Sequence, residues 1–144
     1  MDRESETRVW RRVQDFRGRE PSGEDLQPVM QAVREQMAVY KRLSSRAAGR
    51  SRGILSELYE AEQECLSALK GVQLLRGGRI PRGNLPDEGK DAYRTALEKA
   101  YHRAGWLTAE YTARSAEPQW GMVFYTLAER ERSACVRIAQ ALGE

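Results

Sequence analysis

The sequence predicts an all-α protein, a four-helix bundle preceded by a short N-terminal helix, and three observations predict it. Apolar residues recur at spacings of 3 and 4 through four long segments, as they do on the buried face of a helix. No segment alternates apolar and polar residues over a useful length, so strands are not expected. Glycine and proline stand where the segments meet: Gly49 and Gly53 between the first and second, Pro118 at the opening of the fourth.

The short helix is expected over residues 4–17, with Val9, Trp10, Val13 and Phe16 on one face. The breaker string Glu20-Pro21-Ser22-Gly23 follows it. This divides the chain into an N-terminal helix and linker (1–23) and a bundle (24–144). The first long helix, about 24–46, carries Leu26, Met30, Val33, Met37 and Tyr40. The second, about 51–76, carries Leu58, Glu62, Cys65, Leu69 and Val72. The third, about 88–115, carries Tyr93, Leu97, Ala100, Ala104, Leu107 and Tyr111. The fourth, about 118–142, carries Phe124, Leu127, Glu131, Ala134, Ile138 and Ala141. Stripes of this spacing suit helices packed at about +20°.

The connections predict the topology. The first and second helices, and the third and fourth, are joined tightly and must be antiparallel neighbours. Residues 77–87 (GGRIPRGNLPD) hold three glycines and two prolines. Fully extended they reach about 36–40 Å, close to one bundle length. A long crossover running back along the bundle is therefore expected here, with a plain up-down bundle as the alternative. The same segment lacks the glycine-lysine order of a phosphate-binding loop and follows no strand.

Composition excludes several classes of function. The chain is 40% hydrophobic and 31% charged, which suits a water-soluble helical protein rather than a disordered one. No apolar run approaches the roughly 20 residues that span a bilayer, and MDRESETRVWRR has no apolar signal core. With two cysteines, a cytoplasmic location and free thiols are expected. The net charge of +3 is too small to announce a nucleic-acid binder. Lys41, Arg42, Arg46, Arg50 and Arg52 form one basic group and Arg76, Arg79 and Arg82 another. They are expected at opposite ends of the second helix, on solvated surface.

Chemistry is concentrated on two seams. Glu62 lies between Leu58 and Cys65, and Glu131 between Leu127 and Ala134, so both acids must face the core. A carboxylate there costs several kcal/mol unless it is paired, hydrogen-bonded or metal-bound. One expectation is a buried pair sharing a proton, with Tyr40 and Tyr111 as donors.

These two segments resemble a known family. LYEAEQECLSAL (58–69) and LAERERSACVRI (127–138) are similar to the second and fourth helices of rubrerythrin-like proteins of the ferritin-like superfamily, whose pattern is Leu-Ala-x-x-Glu-x-x-His. The resemblance extends over residues 24–142 and implies a ferritin-like bundle. In the family, Glu-x-x-His from two helices joins one glutamate from each of the others around two irons. Carried over, Glu62 and Glu131 match the glutamates, but Cys65 and Ala134 stand at the histidines. Register places Val33 and Ala104 at the two remaining glutamates, with Glu35 and Glu98 off the seam. The resemblance thus implies a degenerate di-iron site with Glu62, Cys65 and Glu131 as its metal-ligand remnant. No cofactor is expected; any metal would be iron or zinc at that remnant.

The function expected is a non-catalytic ferritin-like bundle with a binding or structural role. The alternative is a rubrerythrin-like metal-binding oxidoreductase with an altered site. A third reading places a small apolar ligand in the space left by Val33, Ala104 and Ala134. His102 points away from position 104 and is read as a surface residue. Cys65 is read as a small buried apolar residue, and a disulfide to Cys135 is not expected. Trp106 and Ala109 form a second apolar edge, the dock of the N-terminal helix or a homodimer contact. Trp120, Met122 and Tyr125 add aromatic and sulfur-bearing surface of the kind found at interfaces.

Overall fold

A computed structural model describes residues 26–80, 85–86 and 89–143. The helix expected over 4–17 lies outside the described residues. Among those described there are four helices and no strand: α1 (Gln27–Arg46), α2 (Gly49–Leu75), α3 (Tyr93–Arg114) and α4 (Gly121–Leu142). None is long and apolar enough to cross a membrane.

Backbone chemistry explains where each helix stops. Between α1 and α2 the chain turns on extended Ala47 and Ala48, then enters Gly49 at φ +62°. That left-handed conformation costs other residues about 1 kcal/mol or more. At the far end of α2 the Gly77 N–H donates to Leu74 O at 2.9 Å and the Gly78 N–H to Gln73 O at 2.9 Å, with Gly77 at φ +80°. This is the Schellman ending, which satisfies carbonyls that the helix leaves open. The third helix begins at Tyr93 rather than near residue 88, because Gly89 at φ +77° cannot continue a right-handed helix. The fourth begins at Gly121, after a turn that contains Pro118. A Cβ at Gly121 would stand 2.5 Å from Ser115 O, so the tight α3–α4 connection requires glycine.

The contacts define the topology. At one end, Arg42 Nη1 of α1 donates to Asp91 O, just before α3, at 3.0 Å, and Arg94 Nη1 reaches Leu142 O at 3.4 Å. At the other end, Arg76, just past α2, pairs with Glu117 in the α3–α4 turn. So α2 finishes at one end and α3 starts at the other, and the connection from Arg76 to Ala92 travels the length of the bundle. The long crossover is present. Gln73 Nε2, donating to Arg79 O at 3.0 Å, pins its beginning. Around the bundle the neighbours are α1–α2, α2–α4, α4–α3 and α3–α1.

Burial follows the predicted stripes of the four long helices, where every described stripe residue except half-buried Tyr93 is buried. The apolar core forms two clusters. One joins Val29, Met30, Leu66, Leu69, Leu107, Tyr111 and Phe124. The other joins Tyr40, Leu55, Leu97, Ala100, Ala104 and Ile138. Each fully buried leucine or phenylalanine contributes about 1.5–3 kcal/mol of transfer free energy. The basic groups do start at opposite ends of α2, but two members are not on solvated surface. Arg42 is buried by its bond to the crossover, and the Arg76 side chain is largely buried against Glu117 and within 5.8 Å of the Phe124 ring centre.

Crossover length is therefore a constraint that can be tested. Deleting residues 79–88 leaves a tether reaching at most ~25 Å, shorter than the ~33 Å of α3. We expect loss of the compact monomer by size-exclusion chromatography. Inserting six Gly-Ser residues instead should cost under about 1 kcal/mol by urea unfolding.

Candidate functional site

A polar layer separates the two apolar clusters at mid-height, and both expected acids are in it. Glu62 of α2 is 2% exposed and Glu131 of α4 is 1% exposed. The i,i+3 spacing places Cys65 on the same face of α2 as Glu62. The ligand atoms of Glu62, Cys65 and Glu131 all lie within 4.8 Å of one another. The structure thus brings together the three residues expected as metal ligands, from two helices that are not consecutive in the chain.

These acids have few partners. Outside the pair itself, no side chain or backbone group donates a hydrogen bond to Glu62 Oε2 or to either Glu131 oxygen, and all three are buried. An unmet buried polar atom costs about 1–3 kcal/mol, and more if charged. Burial raises the Glu62 pKa well above its ordinary 4.5, and the Glu131 charge and a hydrogen bond to Glu131 add to the rise. Burial raises Glu131 as well, while the hydrogen bond from Glu62 works against it. Both shifts favour one proton held between the two carboxyl groups, since two adjacent buried charges repel each other strongly.

The tyrosines do not play the donor role expected of them. Tyr40 accepts a hydrogen bond from Gln36 Nε2 at 3.0 Å, and the buried Tyr111 hydroxyl has no partner. Neither phenol is hydrogen-bonded to a carboxylate. Both stand close enough for burial, followed by the Glu62 and Glu131 charges, to push their pKa values well up. The Cys65 thiol is likewise pushed far up, first by burial and then by the two acids, with nearby Arg130 working the other way.

The two sides of the layer differ. Between α1 and α3 a clamp closes it: Gln36 Nε2 donates to Ala100 O at 2.9 Å and Gln36 Oε1 accepts from Arg103 Nη1 at 2.8 Å. Arg103 also pairs with Glu35 at 3.1 Å. Gln36 is fully buried and was missed in the sequence; its one signal is the i,i+4 spacing to Tyr40. A second buried polar pair missed there is Glu110 with Arg114, 4.0 Å apart at i,i+4 on α3.

Between α2 and α4 the layer opens into a cleft of about 210 Å³, floored by Glu62, Cys65, Glu131 and Ala134. Two ion pairs cross it, Arg130–Glu64 at 3.1 Å and Arg137–Glu57. Of the positions expected to leave space for an apolar ligand, Ala134 lines this cleft and Val33 and Ala104 do not. The cleft's charged walls do not suit an apolar guest. His102 is exposed, with Tyr101 edge-on at 5.9 Å, and Glu98 is exposed and paired with Arg94. Both cysteines are free.

Compared with known protein families, curated proteins and solved structures, the chain finds no match.

Two measurements follow from the carboxyl pair. Above the unfolded carboxylate value of about 4.5, the folded state keeps a proton that the unfolded state has lost. Stability therefore falls as pH rises, by about 1.4 kcal/mol per unit for each extra proton. Urea unfolding of wild type should show this decline as pH rises above about 5, and a Glu62→Gln/Glu131→Gln double variant should be nearly flat beside it. Equal slopes would mean that no proton is retained. Separately, Glu131→Leu in metal-free protein should hold or raise stability at pH 8, by up to about 2 kcal/mol, because an apolar side chain of similar size replaces a buried acid. A loss of 3 kcal/mol or more would show that Glu131 anchors a network the pair does not explain.

Proposed function

We propose that this chain is a ferritin-like bundle related to the rubrerythrins, working as a non-catalytic binding or structural module. One observation supports the reading: the residues that the resemblance sets at the family's other ligand positions, Val33, Ala104 and Ala134, are all buried apolar side chains. Oxygen-activating iron uses imidazole and several carboxylates with open coordination positions. This layer offers two carboxyl groups, a thiol and no histidine, so it does not fit a di-iron group. The long crossover supports the ferritin-like assignment, because one such connection in a four-helix bundle is the ferritin-like topology.

A second reading, a rubrerythrin-like oxidoreductase with an altered metal site, draws on the convergence of Glu62, Cys65 and Glu131 beneath an open cleft. The two readings differ in iron content. Protein purified without chelator should hold far fewer than two irons per chain by elemental analysis. About two irons per chain, lost on Glu62→Ala or Glu131→Ala, would overturn the non-catalytic reading. A cytoplasmic setting agrees with the free thiols. The exposed Met122 and Tyr125 are the surface on which we place a homodimer contact.

A further inference from the structure

We infer that Glu62, Cys65 and Glu131 form a binding site for one borderline-soft divalent cation of the zinc class, entered through the α2–α4 cleft. The inference rests on the donor set and its surroundings, and stands whether or not the fold descends from the rubrerythrins.

The three donor atoms lie within 4.8 Å of one another. Around a single tetrahedral zinc, sulfur at about 2.3 Å and oxygens at about 2.0–2.2 Å stand roughly 3.5 Å apart. The triad therefore closes on an ion through adjustments of roughly an ångström. Independently of that spacing, Glu62 Oε2 and both Glu131 oxygens are buried and lack donors. A cation satisfies these oxygens together and replaces the proton that they otherwise share. It also reverses the electrostatics at Cys65, since the anionic neighbours that disfavour the thiolate become partners on a common positive centre.

The chemical class follows from the ligands. A thiolate disfavours calcium and magnesium, which take six or more oxygens. One thiolate with two carboxylates suits zinc or its cobalt and cadmium substitutes. Val33 and Ala104 offer no donor for a second ion, so the site is mononuclear. All three donors line the cleft, whose volume of about 210 Å³ admits water or a small anionic ligand as a fourth ligand. Arg130, paired with Glu64 at the rim and near Cys65, supplies positive charge beside that position.

The test titrates chelator-treated full-length protein with Co²⁺. One equivalent per chain should bind, with a thiolate-to-cobalt charge-transfer band that one equivalent of Zn²⁺ abolishes. Cys65→Ala should lose the band and Cys135→Ala should keep it. Glu131→Gln, which preserves side-chain shape, should weaken Co²⁺ binding by roughly tenfold or more, at least the loss that an outer-sphere change costs. Far-ultraviolet circular dichroism checks that each variant is folded; if Cys65→Ala is not, the Glu131→Gln affinity decides. Absence of the band at saturating Co²⁺, its persistence in folded Cys65→Ala, or an unchanged affinity in Glu131→Gln would overturn the site. Those failures leave the non-catalytic reading standing, whereas about two irons per chain would overturn both that reading and the single-ion site.

Discussion

Placing two carboxyl groups side by side in a dry helical core is the constraint to which the middle of this bundle is fitted. Glu62 and Glu131 cannot both be charged without a counter-ion, and their described surroundings supply no donor. A proton shared between them relieves their repulsion. The rest of the layer is arranged around that need. Gln36 takes up Tyr40, Ala100 and Arg103 on the α1–α3 side, so the polar groups there are satisfied without the acids. The α2–α4 side is left for the acids, and it is the side that opens to solvent.

The apolar clusters above and below make this arrangement stable enough to persist. Large side chains such as Tyr111, Phe124 and Leu69 fill one cluster, while Ala96, Ala100, Ala104 and Ala134 allow closer helix approach in the other. A folded domain has only about 5–15 kcal/mol of net stability. A buried acid pair is therefore tolerable only where packing on both sides is good. The mid-helix position of both acids meets that condition.

Helix periodicity made most of this legible in the sequence. Leu58-Glu62-Cys65 and Leu127-Glu131-Ala134 left the acids no way to avoid the core, and the glycine- and proline-rich stretch after Arg76 was too long for a hairpin turn. The features that were not legible depend on partners far apart in the chain. Gln36 follows Glu35 and reads as surface until Ala100 and Arg103 are brought to it across α3. Arg42 reads as one of a basic run until the carbonyl of Asp91 buries it. The cleft cannot be read from either wall alone, because Glu57 and Glu64 meet Arg137 and Arg130 only after the crossover has set the register of α4 against α2.

The crossover has a further consequence for how the site comes into being. The bundle is two hairpins, α1–α2 and α3–α4, held near each other by a tether that sets their effective concentration. Glu62 and Cys65 ride on one hairpin and Glu131 on the other, so the triad exists only once the hairpins have docked.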